Sequence, residues 1–111
     1  MIVRAFAFLM FALSITLTAG RVPAAERQLL VVNAGNKAIF SVRIGNVARN
    51  DWSKDLLRFD QVIDVSNGRE LRVHYDRSNC KYDVQVTYGD GATAVERNVN
   101  LCRTDRVTFN R

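Results

Sequence analysis

The sequence predicts an all-β protein, a small antiparallel sandwich or partly open barrel of six or seven strands with one short helical turn and one disulfide. Three observations point there. Apolar residues recur at every second position in several short stretches, Gly, Asn and Asp pairs punctuate those stretches, and no apolar pattern of helical period is long enough for an α/β fold.

The chain opens on a segment of a different kind. A start with one basic residue, Arg4, precedes residues 5–19 (AFAFLMFALSITLTA), an apolar or weakly polar run. That pattern predicts a signal peptide over residues 1–24, removed on export, because the run falls short of the roughly 20 residues that cross a bilayer. Val22 and Ala24 favour a cut before Ala25, and the stretch Thr18, Ala19, Gly20 offers an earlier one. The remainder, residues 25–111, is expected to form a single β domain with no stable membrane insertion after cleavage.

Within it, residues 27–33 (RQLLVVN) read as a first strand. A turn at Ala34, Gly35 and Asn36 leads into residues 37–44 (KAIFSVRI), which place Ala38, Phe40, Val42 and Ile44 on one face. The two stretches are expected to form a hairpin. Asn50 or Asp51 can cap a short helical turn over residues 52–57 (WSKDLL), with Trp52 and Leu56 four apart. So short a helix persists only if its apolar side chains are buried, so Trp52 and Leu56 are expected to be structural, plugging one end of the core. On that expectation Trp52→Ala costs about 3 to 5 kcal/mol.

Residues 61–65 (QVIDV) form a short extended segment, and the Asn67-Gly68 turn leads into residues 69–75 (RELRVHY). There Leu71, Val73 and Tyr75 face inward and Glu70, Arg72 and His74 outward. Residues 80–88 (CKYDVQVTY) alternate equally well, with Tyr82 an inward structural residue. A turn at residues 89–91, a returning strand over 92–101 and a last strand over 106–110 complete the chain. If residues 76–79 form a hairpin loop, Arg72 lies opposite Asp83, and His74 neighbours Lys81. Around the next turn Val86 faces Val95 and Tyr82 faces Val99. That register sets Cys80 opposite Leu101, so a β-bulge near Arg97 and Asn98, or a bend after Leu101, must absorb one residue before Cys102 is reached.

Cys80 and Cys102 are the only two cysteines, and in an exported chain such a pair is most simply a disulfide, worth about 3.4 kcal/mol on the chain-entropy model. Removing Arg4 and Arg21 lowers the formal charge from +5 to +3. The basic residues are scattered among acids, so nucleic acid is not the expected partner; an envelope or secreted protein, or an anionic envelope surface, fits better.

Catalytic parts are scarce. The single histidine, His74, sits on a polar strand face, and the serines lack a nucleophile-elbow setting. Cofactors are expected to be none, and no residue is assigned a catalytic or metal role. Asp51, Asp55, Asp60 and Asp64 raise a calcium-binding module as a secondary reading, although they match no twelve-residue calcium loop. Arg72, His74 and Lys81 are the candidate surface contact residues.

The segments Val31-Val32-Asn33, Asp51-Trp52 with Asp55-Leu56-Leu57, Cys80-x-Tyr82-Asp83-x-x-Val86, Asp90-Gly91 and residues 98–102 (NVNLC) together resemble a group of small exported proteins of Gram-negative bacteria. The chain departs from their pattern at Arg58, where a glycine is expected, and in having Trp52 directly after Asp51. The resemblance implies an exported, disulfide-bonded β domain and carries over no activity and no site residue. The expected function is a non-enzymatic periplasmic or secreted binding or structural module. An inhibitor of a secreted hydrolase and a small envelope enzyme rank behind it, beside the calcium-binding module.

Overall fold

The computed structural model describes residues 25–111, and the expected signal peptide lies outside them. Among the described residues seven strands, β1 (Ala25–Asn33), β2 (Ile39–Asn46), β3 (Asp51–Trp52), β4 (Gly68–Tyr75), β5 (Lys81–Tyr88), β6 (Thr93–Asn100) and β7 (Arg106–Phe109), make two sheets. Sheet A has the order β4-β1-β7 and sheet B the order β3-β2-β5-β6. All neighbouring pairs are antiparallel except β1 with β7. The core lies between the sheets: Leu29, Val31, Leu71, Val73, Val107 and Phe109 from sheet A meet Ile39, Val42, Val84, Val86 and Val99 from sheet B.

Two expected hairpins are absent, for the same reason. β1 and β2 lie in different sheets, as do β4 and β5, so the turns after Asn33 and Tyr75 carry the chain across the sandwich instead of folding it back. Alternation tells which face a residue takes and says nothing of which strand lies alongside. Arg72 therefore faces Gln28 in β1, not Asp83, and His74 faces Glu26, far from any pairing with Lys81. In β2 a register shift between Ile39 and Ser41 turns Phe40 outward and Ile39 to the core in its place, while Val42 and Ile44 face the core as expected.

The β5–β6 hairpin forms. Tyr82 faces Val99 as expected, whereas Val86 faces Ala94, not Val95. The one-residue difference is taken up at Arg97 and Asn98, where two residues oppose Asp83. Asn98 has φ of 57° and donates its N–H to Asp83 Oδ1 at 3.0 Å. Leu101 lies opposite Cys80, as expected, with the Leu101 N–H donating to the Cys80 carbonyl at 2.8 Å, so the bulge does not carry the chain to Cys102. A turn then follows, its Cys102 N–H bound by Asn100 Oδ1. Cys80 and Cys102 close as a disulfide with Cα atoms 5.4 Å apart.

The expected helical turn over residues 52–57 is not there; the one helical turn among the described residues is a 3-10 turn at Val47–Arg49. Residues 51–56 instead line the edge of β2. Beyond β3 the chain becomes irregular, and side chains replace the missing ladder: Ser53 Oγ accepts the Ile44 N–H at 3.1 Å and Asp55 Oδ1 accepts the Val42 N–H at 3.0 Å. The Ser53 and Leu56 N–H groups donate to the Ile44 and Val42 carbonyls. Gly45 permits this approach, because a Cβ there would collide with the Asp51 carbonyl oxygen. Trp52 is only half-buried and stands outside the core cluster; Leu57, 4% exposed, and Ile63, 1% exposed, fill that side of the core, with Leu56 packed partly against it.

Candidate binding surface

The outer face of sheet A is set by the alternation of β1 and β4. Inward Leu29, Val31, Leu71 and Val73 leave Glu26, Gln28, Glu70, Arg72 and His74 facing solvent. Glu26 is the hub: its Oε2 lies 3.6 Å from Arg72 Nε and 3.5 Å from His74 Nε2. All three side chains are about half exposed or more, so the cluster adds little to stability and remains free to meet another molecule. Thus two of the predicted contact residues, Arg72 and His74, come together around a glutamate that carried no signal of its own in the sequence.

Lys81, the third, is elsewhere. It lines a hollow of about 240 Å³ in sheet B with Asp83, Arg97 and Asn98, beside the bulge. Tyr82 is half-buried against the core and its hydroxyl accepts the Asp76 N–H at 2.9 Å, which ties β5 to the turn that follows β4. Hydrogen bonds from the Ser78 hydroxyl and N–H hold the Asp76 carboxyl below its usual range.

The edges of the sheets differ sharply. β3 has two residues and β7 four, and β6 is broken by the bulge at Asn98. β4 pairs with β1 over eight consecutive residues with no register shift, and its other side carries no strand among the described residues. It has no proline, no lysine and no bulge, and its charges, Arg69, Glu70 and Arg72, are of both signs, so they select what can be added alongside.

A groove of about 370 Å³ runs beside β4, between Glu70, Leu71 and Arg72 on one wall and Leu56, Arg58 and Gln61 on the other. The far wall ends in a closed turn. The Gln61 N–H donates to the Arg58 carbonyl at 2.9 Å, and the Arg58 N–H donates to Gln61 Oε1 at 3.0 Å. At its tip Phe59 is 104% exposed, the full extent of an unfolded side chain. The glycine expected at residue 58 is an arginine, and this turn is built on it.

A second hollow, about 460 Å³, opens beside β1 where β7 does not reach, lined by Arg27, Gln28, Asp105 and Arg106. Arg27 donates through Nη1 to the Leu101 carbonyl at 2.7 Å, and its Nε is buried without a partner among the described residues. Asp51, Asp55, Asp60 and Asp64 do not converge: Asp55 is committed to the Val42 and Leu57 N–H groups, and among the described residues no three His, Cys, Asp or Glu side chains are gathered to hold a metal ion. No family model, curated protein or solved structure matches this chain, so its function has to be sought in the arrangement of these side chains.

Proposed function

We propose that this protein is a non-enzymatic binding module, exported to the periplasm or beyond the cell, that takes a protein partner along the open edge of sheet A. The observation that carries this is the β4 edge itself: eight residues in unbroken register with no strand on their outer side among the described residues, a groove beside them, and a fully exposed phenylalanine in the turn that forms its far wall. Such an edge offers main-chain hydrogen bonds to an added strand, while alternate side chains supply selectivity. Export is supported by the basic, apolar start of the sequence and by the disulfide, which suits an oxidising compartment.

Site-specific photocross-linking in the native host tests the surface. A photoreactive residue at Phe59 is expected to give discrete protein adducts, and one at Thr93, on the bulged edge of sheet B, is expected to give none. Equal labelling from the two positions, or no adduct from Phe59, would overturn the proposal. Recovery of the protein from the periplasm or medium, about 20 to 25 residues shorter than its full length by intact mass, tests export.

A further inference from the structure

We infer that the β4 edge is taken by β4 of a second copy of this chain, the two strands running antiparallel about a two-fold axis centred on Leu71. The inference rests on the edge being a binding surface, as proposed above, and names its occupant. A two-fold pairing presents the same patch from both sides, so a strand suits it only if its own side-chain order is self-complementary in that register.

The order of β4 selects one register. Leu71 and Val73 face the core, and Glu70, Arg72 and His74 face out. Outer residues must meet outer residues, or the apolar set of one copy would join the solvent face of the other, so the axis must pass through a residue pair and not between two residues. Centring it on Glu70 sets two carboxylates opposite each other, and centring it on Arg72 sets two guanidinium groups opposite each other. Centring it on Val73 places Arg72 against His74. Centring on Arg72 also sets Glu70 against His74, but only Leu71 at the centre faces Glu70 with Arg72, twice by symmetry, with no like charges opposed; it joins the two Leu71 side chains on the core side and sets Arg69 beside Val73. Opposite-charge pairs in that position stabilise a sheet, and like charges there destabilise it.

Two neighbouring features agree with this register. Arg72 already leans toward Glu26 at 3.6 Å, so it would sit between that carboxylate and Glu70 of the second copy. The exposed Phe59 and the wall formed by Leu56, Arg58 and Gln61 flank the place where the second strand enters, which gives Phe59 a surface to cover it. The product is one continuous sheet with β7, β1 and β4 from each copy.

Sedimentation equilibrium of the purified, oxidised protein decides the matter. We expect a dimer that dissociates on dilution. Glu70→Arg and Arg72→Glu alter exposed side chains and are expected to leave the circular dichroism melt in place. Each should weaken self-association roughly tenfold or more, because two attractive pairs become repulsive. An equimolar mixture of the two variants should recover the dimer, since both cross-strand pairs are then again of opposite sign. A monomer at millimolar concentration overturns the inference, and failure of the mixture to recover overturns this register. If the protein is monomeric while the Phe59 cross-linker captures a different protein, self-pairing is lost and the binding surface stands; if it captures nothing, both fail.

Discussion

Asn33 is fully buried, and both ends of its side chain are used. Nδ2 donates to the Lys37 carbonyl at 2.8 Å and to the Ile63 carbonyl at 3.0 Å, and Oδ1 accepts the Gly35 N–H at 3.1 Å. It stands where the chain leaves sheet A for sheet B, so one amide binds three backbone groups, of which the Ile63 carbonyl also accepts the Ile39 N–H. We expect Asn33→Ala to cost about 1 to 3 kcal/mol, read from the urea midpoint, because the part-buried Gly35 N–H and Lys37 carbonyl lose this partner. Asp90 acts at the surface instead. The Lys37 ammonium, 2.6 Å away, and the Ala92 N–H hold its carboxyl below the usual range. Since the folded state lowers this pKa, its stabilising contribution is present above the unfolded pKa and is lost as pH falls through the folded one, in the acid range below about pH 4. A carboxyl titration followed by NMR should show Asp90 with a low midpoint that rises when Lys37 is replaced by Ala.

The segment that lines β2 is where sequence and structure part most clearly. Four-residue spacing of Trp52 and Leu56 suggests a helical turn, yet Ser53 and Asp55 find better use as acceptors for the unpaired N–H groups of Ile44 and Val42. Side-chain acceptors of this kind compete with helix formation at short range, and a turn so brief has too few hydrogen bonds to resist them. Burial follows the new path, and with it the energetics. We expect Leu57→Ala to cost about 2 to 5 kcal/mol as a core truncation, and Trp52→Ala only about 1 kcal/mol, well under the cost of losing a core aromatic. Paired denaturation curves of the two variants check the order. Strand positions and inward faces were legible in Leu71, Val73, Tyr82, Val84 and Val86, because alternation is local; of the bulge near Arg97 and Asn98 and the bend after Leu101 that the cysteine spacing allowed, both are present, and the bend is what reaches Cys102. The pairing of β1 with β4 and β7 was not, and neither was the free edge of β4, since an edge is defined by what the rest of the chain leaves unpaired. Arg72 and His74 could be marked as exposed; Glu26, Phe59 and the groove beside β4 become a surface only once that sheet order is known.

Across the whole molecule, stability is distributed unevenly between the two sheets. The disulfide clamps the open end of the β5–β6 hairpin and so staples sheet B, whereas sheet A has no covalent link of its own. We expect the double replacement of Cys80 and Cys102 by Ser to lower stability by about 3.4 kcal/mol, visible as a lower denaturant midpoint, a large share for a domain of this size. Sheet A depends on something else. Its middle strand is β1, the earliest of the described strands, and one of its two flanks is β7, the latest. During synthesis β1 is made long before either neighbour, so it waits for β4, and sheet A stays incomplete until β7 arrives at the end. Contacts between such distant parts of a sequence form slowly, because the whole intervening chain must first be brought to order. The order of synthesis thus delays the closing of sheet A, and under the export proposed above that delay is the interval in which an unfolded chain can be threaded through a membrane.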